Sequence, residues 1–150
     1  MKLQDLKKEI PFKWRVQSSN QWGASCVAYI DARDVQDLLD EVVGQENWQC
    51  KYSEHKGNLF CEVGIKCGDN WVWKSDCGTE SNVEKEKGEA SDSFKRACVM
   101  WGIGRFLYSK TIVKLPVKGE NGKWIPYSEK TQKFVKDSKS INLWCNQLSK

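Results

Sequence analysis

The residues able to do chemistry are seven cysteines, one histidine, a run of acids and a set of cations interleaved with aromatic rings. Cys26, Cys50, Cys61, Cys67, Cys77, Cys98 and Cys145 are odd in number, and no two show the CxxC spacing that zinc sites favour. Most fall inside apolar-patterned segments, so they read as buried free thiols in a reducing compartment. His55 sits beside Lys56-Gly57 at a turn tip, where no neighbouring residue makes it the base of a Cys–His pair. Asp31, Asp34, Asp37, Asp40 and Glu41 alternate with apolar positions and read as the solvated face of a helix. Gly102-Ile103-Gly104 lacks the third glycine and the preceding strand of a dinucleotide site, and no P-loop occurs. The expectation is a protein that is not an enzyme and takes no metal and no cofactor.

Cations and flat rings remain. A single-stranded nucleic acid is held by cations that follow its phosphates and by rings on which bases stack. The chain has eight Trp, four Tyr and five Phe. Core packing absorbs many of them, and Trp48, Trp71 and Trp101 lie where the strand and helix patterns face inward. Lys87, Lys95, Arg96 and Arg105 differ, because they flank the apolar stripe of a helix and its glycine exit. Charge is unevenly spread within a formal net of +4. Residues 113–150 hold eight lysines against three acids, a net of +5, which leaves −1 for residues 1–112. A basic tail suits a polyanion, and a lysine-rich solvated surface would have the same composition.

The elements that must position these residues follow from periodicity. Pro11 to Val16 reads as extended, and Ala24 to Ile30 as a short strand ending at Asp31. Val35, Leu38, Leu39, Val42 and Val43 follow helical spacing, with Asp31 as N-cap and Gly44 as the stop. Trp48, Cys50 and Tyr52, then Cys61, Val63, Ile65 and Cys67 alternate with polar or small residues, and Trp71 and Trp73 alternate with Val72 and Lys74. The turn sequences Lys56-Gly57-Asn58 and Gly68-Asp69-Asn70 separate them, which predicts an antiparallel three-stranded meander with one face to cover. A second helix supplies the cover. It begins near Asn82 to Glu84 and carries Ala90, Phe94, Ala97 and Trp101 on one stripe, until Gly102 and Gly104 end it. Ile112 to Val117, Glu120-Asn121-Gly122 and Lys123 to Tyr127 read as a second hairpin, and residues 128–150 as weakly helical. The fold class is α+β: an amphipathic helix, then a β-β-β-α unit, then a C-terminal hairpin and helix.

A chain of 150 residues fits one domain, or one domain with an extension. No apolar run reaches the ~18 residues of a membrane span. The opening Met1-Lys2-Leu3-Gln4-Asp5 lacks the apolar core of a signal peptide. Cytoplasmic residence is expected, or nuclear residence in a eukaryote, with no membrane partner.

Two motifs add a resemblance. Ala90-Ser91-Asp92-Ser93-Phe94-Lys95-Arg96-Ala97, followed by Trp101-Gly102-Ile103-Gly104-Arg105-Phe106-Leu107-Tyr108, resembles the hallmark helix of the Rad52 (Rad22) family of single-strand annealing proteins. Ala28-Tyr29-Ile30-Asp31-Ala32-Arg33-Asp34-Val35, running to Gly44-Gln45-Glu46-Asn47-Trp48, is similar to that family's strand, amphipathic helix and following Gly and Trp. The resemblance spans about residues 10–112 and is to the short phage or bacterial members. It implies a ring or open-arc homo-oligomer that holds single-stranded DNA by its backbone in a basic groove, bases outward, and anneals complementary strands without ATP in recombination or break repair. Carried over by position, Lys95 is the groove lysine, Arg96 its neighbour and Lys87 a further groove lysine. Tyr29 is a tyrosine near DNA and Arg15 an arginine upstream of it, whereas Arg105 is a member only through its place in the basic rim at the glycine exit. The link from Gly78 to Lys85 is shorter than in eukaryotic relatives, and Glu80, Glu84 and Glu86 stand where those relatives have several lysines, which weakens the support for a second, outer DNA site. The implied layout is an annealing domain at residues 1–112 and a basic extension at 113–150, with a single-strand-binding protein as a further partner. The rival reading is an accessory module that binds duplex or structured RNA by shape.

Overall fold

The computed structural model describes residues 2–78 and 85–150, with side chains for 2–78 and 88–150. In chain order the elements are β1 (Lys13–Asn20), β2 (Gly23–Tyr29), α1 (Ala32–Val42), β3 (Trp48–His55), β4 (Asn58–Cys67), β5 (Asn70–Cys77) and α2 (Lys85–Met100). After them come β6 (Val113–Leu115), β7 (Val117–Glu120), β8 (Lys123–Ser128), β9 (Lys133–Phe134) and α3 (Ser138–Leu148). The chain forms two compact units, Met1–Ile10 with Ile30–Phe106, and Pro11–Tyr29 with Leu107–Lys150. The α+β class is as the sequence predicts. The start of α2 near Asn82 to Glu84 lies outside the described residues.

In the first unit, α1 begins where Asp31 accepts the backbone N–H of Asp34 at 2.9 Å and Asp34 accepts that of Asp31 at 3.0 Å. This reciprocal capping box satisfies two of the donors that open a helix. Val35, Leu38 and Leu39 are buried, and Gly44 follows the helix with φ 93°, a conformation glycine adopts without strain. Asp31→Ala is expected to lower stability by about 1 kcal/mol. A urea titration checks this as a lower midpoint with an unchanged slope.

The sheet order is β3-β4-β5, antiparallel throughout. Lys56 and Gly57 both have positive φ at the first turn, the two-residue geometry that matches strand twist. α2 lies over β4 and β5, burying Phe94, Ala97, Cys98 and Trp101 against Cys61, Val63 and Ile65. Trp48 meets this layer at a tilt, its ring 6.0 Å from Phe94 and its Nε1 donating to Asp40 at 2.7 Å.

Trp71 corrects the sequence expectation. It is 37% exposed, on the sheet face away from α2. The register explains it: Val72 pairs with buried Ile65, so Trp71 and Trp73 fall on the other side with Lys66 and Gly64. Trp73 lies across Gly64, where a Cβ would sit 2.8 Å from the indole, and Lys51 Nζ stands 4.3 Å over its ring. A two-residue period cannot say which face is which; pairing with β4 does. Cys50 and Tyr52 are exposed as well, because they lie on the edge strand β3.

In the second unit the sheet order is β1-β2-β6, with Ala24 opposite Leu115 and Cys26 opposite Val113. Its core is Trp14, Ala24, Cys26, Val113, Leu115, Ile141 and Cys145. Two asparagines of α3 hold β1: Asn142 accepts the Trp14 backbone N–H at 2.9 Å and Asn146 accepts its indole N–H at 3.0 Å. The stretch from Ile112 to Val117, read as one hairpin arm, is divided at Pro116. Residues before it pair with β2, and those after it pair with β8 through the Asn121-Gly122 turn. Proline has no N–H to give a ladder, which suits this switch between sheets.

Candidate nucleic-acid interface

Cations supplied by α2 come first. Lys95 is half-buried, and its Nζ donates to the Ile30 carbonyl at 3.5 Å. Arg96, one residue on, is exposed, and its Nε donates to Asp92 at 3.0 Å, an i,i+4 pair along the helix. The side chain of Lys87 lies outside the described residues. Arg105 turns back onto the end of α2, its Nε donating to the Val99 carbonyl at 2.8 Å and its Nη2 to Met100 at 3.0 Å. Lys74 joins it there, donating to the Met100 carbonyl at 3.3 Å while standing 4.5 Å over the Trp101 ring. Two cations therefore satisfy carbonyls that the helix itself leaves open, at its negative end. Sequence reading missed Lys74, whose alternation with Trp73 in β5 was its only signal.

The second unit brings Arg15 and Tyr29 together. Arg15 is exposed on β1, and its guanidinium carbon stands 5.2 Å over the half-buried Tyr29 ring at the end of β2. Lys13 pairs with Tyr29 across the strands, so all three share the face opposite Trp14 and Cys26. A cation stacked on a ring presents a planar, positively charged surface, suited to a phosphate or a base face. Lys13 was not singled out by the sequence reading, since the strand register was needed to place it.

Charge divides between the units more sharply than along the chain. Residues 11–29 and 107–150 hold eleven Lys and Arg against three acids, a net of +8. Residues 1–10 and 30–106 hold thirteen against seventeen, a net of −4.

Four of the five acids at α1 have structural partners, and Asp37 is exposed. Asp31 and Asp34 form the capping box, Asp40 accepts from Trp48, and Glu41 pairs with Lys8 at 3.0 Å. All seven cysteines are free; Cys26, Cys61, Cys98 and Cys145 are buried, whereas Cys50 is exposed and Cys67 and Cys77 are half-buried. The hydrogen bond with Cys61 brings the Cys50 thiol down to about 7. The same contact, with burial, pushes Cys61 well above the ordinary thiol range. His55 is exposed, 3.1 Å from Ser53 Oγ and edge-on to Phe60. Among the described residues, no group of three or more His, Cys, Asp or Glu could hold a metal ion, and no helix is long and apolar enough to cross a membrane.

Comparison with known proteins places the chain in a family. The model of the "Rad52/22 family double-strand break repair protein" matches residues 1–63 and 62–123. The chain belongs to the Rad52/22 family. Among the relatives of this Rad52/22 family member are the single-stranded DNA-binding proteins DdrA of Deinococcus deserti and Deinococcus radiodurans, each 34% identical over an alignment of 119 residues that covers 72% of this chain. The matches span 59% and 57% of those two relatives.

Proposed function

We propose that this Rad52/22 family member binds single-stranded DNA and anneals complementary strands, without ATP and without catalysing a reaction. It acts as a ring or open-arc homo-oligomer in recombination or double-strand break repair, in the cytoplasm, with a single-strand-binding protein as a further partner. The carrying observation is the family match over residues 1–123, which contains Arg15, Tyr29, Lys87, Lys95, Arg96 and Arg105. In this reading Lys95, Arg96 and Lys87 neutralise phosphates, and Arg15 on Tyr29 adds a stacked cation. Arg105 joins them with one face of its guanidinium while it caps α2. Residues 1–112 carry annealing, and 113–150 are a basic extension.

The chemistry agrees with the task. Annealing needs phosphate charge neutralised while the pairing edges of the bases stay free, so affinity comes from cations and not from base readout. Complementary fluorescent oligonucleotides mixed with the protein test it: pairing is expected faster than in buffer and independent of ATP. Equal rates with and without protein, or a requirement for ATP, would overturn it. Lys95→Ala is expected to weaken binding to all sequences alike and to flatten the salt dependence by about 0.7 log units per log unit of salt. Since Lys95 also donates to Ile30, Arg96→Ala serves as a second variant; its exposed ion pair contributes only about 0.3–0.5 kcal/mol to folding. Unchanged affinity in both variants would move the site off α2.

A further inference from the structure

The sheet β7-β8-β9 has two unlike faces. Val117 and Pro126 turn one of them to the core of the second unit. On the other, register places Lys118 opposite Ile125, Glu120 opposite Lys123, and Tyr127 opposite Phe134. The side chains there alternate cation and ring. Lys118 Nζ stands 4.8 Å over Tyr127, Tyr127 meets Phe134 edge-on at 5.2 Å, and Lys136 Nζ stands 5.6 Å from the Phe134 centroid. Lys118, Lys123 and Lys136 are exposed, and the two rings and Ile125 are half-exposed. An open concavity beside Tyr127 is lined by Lys118, Glu129 and Gln132. Two acids belong to this face: Glu120, paired with Lys136 at 2.8 Å, and Glu129.

We propose that this face is a second contact for single-stranded nucleic acid, made by residues other than the α2 cations, in which Lys118, Lys123 and Lys136 hold phosphates and Tyr127 and Phe134 offer rings to bases. The inference rests on the single-strand-binding reading above. Three observations favour a polyanion: the unit carries a net charge of +8, the lysines sit beside rings rather than on a bare surface, and the rings are only half covered. Stacking on a ring is tolerant of sequence because every base has a flat face, so this surface leaves annealing indiscriminate. It also gives the basic C-terminal segment a role that α2 does not fill.

The test uses the full chain and fluorescein-labelled oligo(dT). Lys118→Glu combined with Lys123→Glu is expected to reduce affinity at least fivefold and to flatten the salt dependence by about 0.7 for each phosphate no longer neutralised. Tyr127→Leu keeps an apolar side chain and is expected to lose about fivefold or more, with Tyr127→Phe restoring binding because the ring returns. Ultraviolet crosslinking should place the oligonucleotide on a peptide containing Tyr127 or Phe134. Wild-type affinity and salt slope in the double reversal would overturn the proposal. Loss of affinity in Lys95→Ala with none in the β7-β8-β9 variants would overturn it and leave the α2 reading standing, whereas a wild-type chain that does not bind oligo(dT) removes both.

Discussion

Trp101→Ala is expected to lower the free energy of unfolding by about 3–5 kcal/mol. The indole is 8% exposed, at the point where α2 ends over the middle of β4. Its removal leaves a cavity between Phe94, Ala97 and the buried side chains of Val63 and Ile65, and packed interiors refill such space only in part. It also strips the Val63 carbonyl of the indole N–H that it accepts at 3.0 Å, and Lys74 of the ring it stands over. An equilibrium urea titration followed by circular dichroism reads the loss. Trp101→Phe separates the contributions, because it returns most of the ring without the donor. It is expected to fall between wild type and Ala, the missing hydrogen bond accounting for about 1–3 kcal/mol. A change below about 1 kcal/mol in the Ala variant would mean that α2 is not held to the sheet at this point.

Gly78→Ala is expected to be damaging for the opposite reason, too much volume. A Cβ at Gly78 would lie 2.5 Å from the Glu89 carbonyl oxygen and 2.8 Å from the Ser93 backbone nitrogen. Both are backbone atoms of a helix, which no rotamer change can move. The approach is held from several directions: the Gly78 N–H donates to the Leu59 carbonyl at 3.0 Å, and the Leu59 N–H donates to the Glu89 carboxylate at 2.9 Å. Separating α2 from the end of β5 is expected to cost about 1–3 kcal/mol or more. For a chain of this size that is a fall in melting temperature of about 2–4 °C per kcal/mol. Gly57→Ala is the control. Nothing lies within 4 Å of its Cβ position, so only its positive φ of 79° is penalised, by about 1 kcal/mol. If the two variants melt together, the close approach at Gly78 is not what constrains it.

Both sites bear on the DNA reading, since Lys95 and Arg96 are set by the helix that Trp101 and Gly78 fasten. The stability variants and the lysine variants should separate in experiment. The first pair lowers melting temperature, and Arg96→Ala lowers affinity at a nearly unchanged melting temperature.

What the sequence determined by itself is whatever depends on neighbours in the chain. Asp31, the Val35-Leu38-Leu39 stripe and Gly44 define α1 because caps and helical contacts reach only three or four residues. The two-residue turns at Lys56-Gly57 and Gly68-Asp69 define the meander because a hairpin's partners are adjacent. The stripe of Phe94, Ala97 and Trp101 marks the covered face of α2, and the Lys95-Arg96 motif beside it was legible as a family resemblance. Pairings between distant segments were settled only in three dimensions. Ala24 opposite Leu115 spans 91 positions, and no local pattern announces it. That pairing joins residues 11–29 to the basic tail and gathers a net charge of +8 in one unit, while the register of β1 on β2 puts Lys13 with Arg15 and Tyr29. Trp71 and Trp73 show the same limit within one strand. Their alternation was visible, but which side of the sheet they occupy depends on the residue each meets on β4, and a two-residue period is blind to that choice.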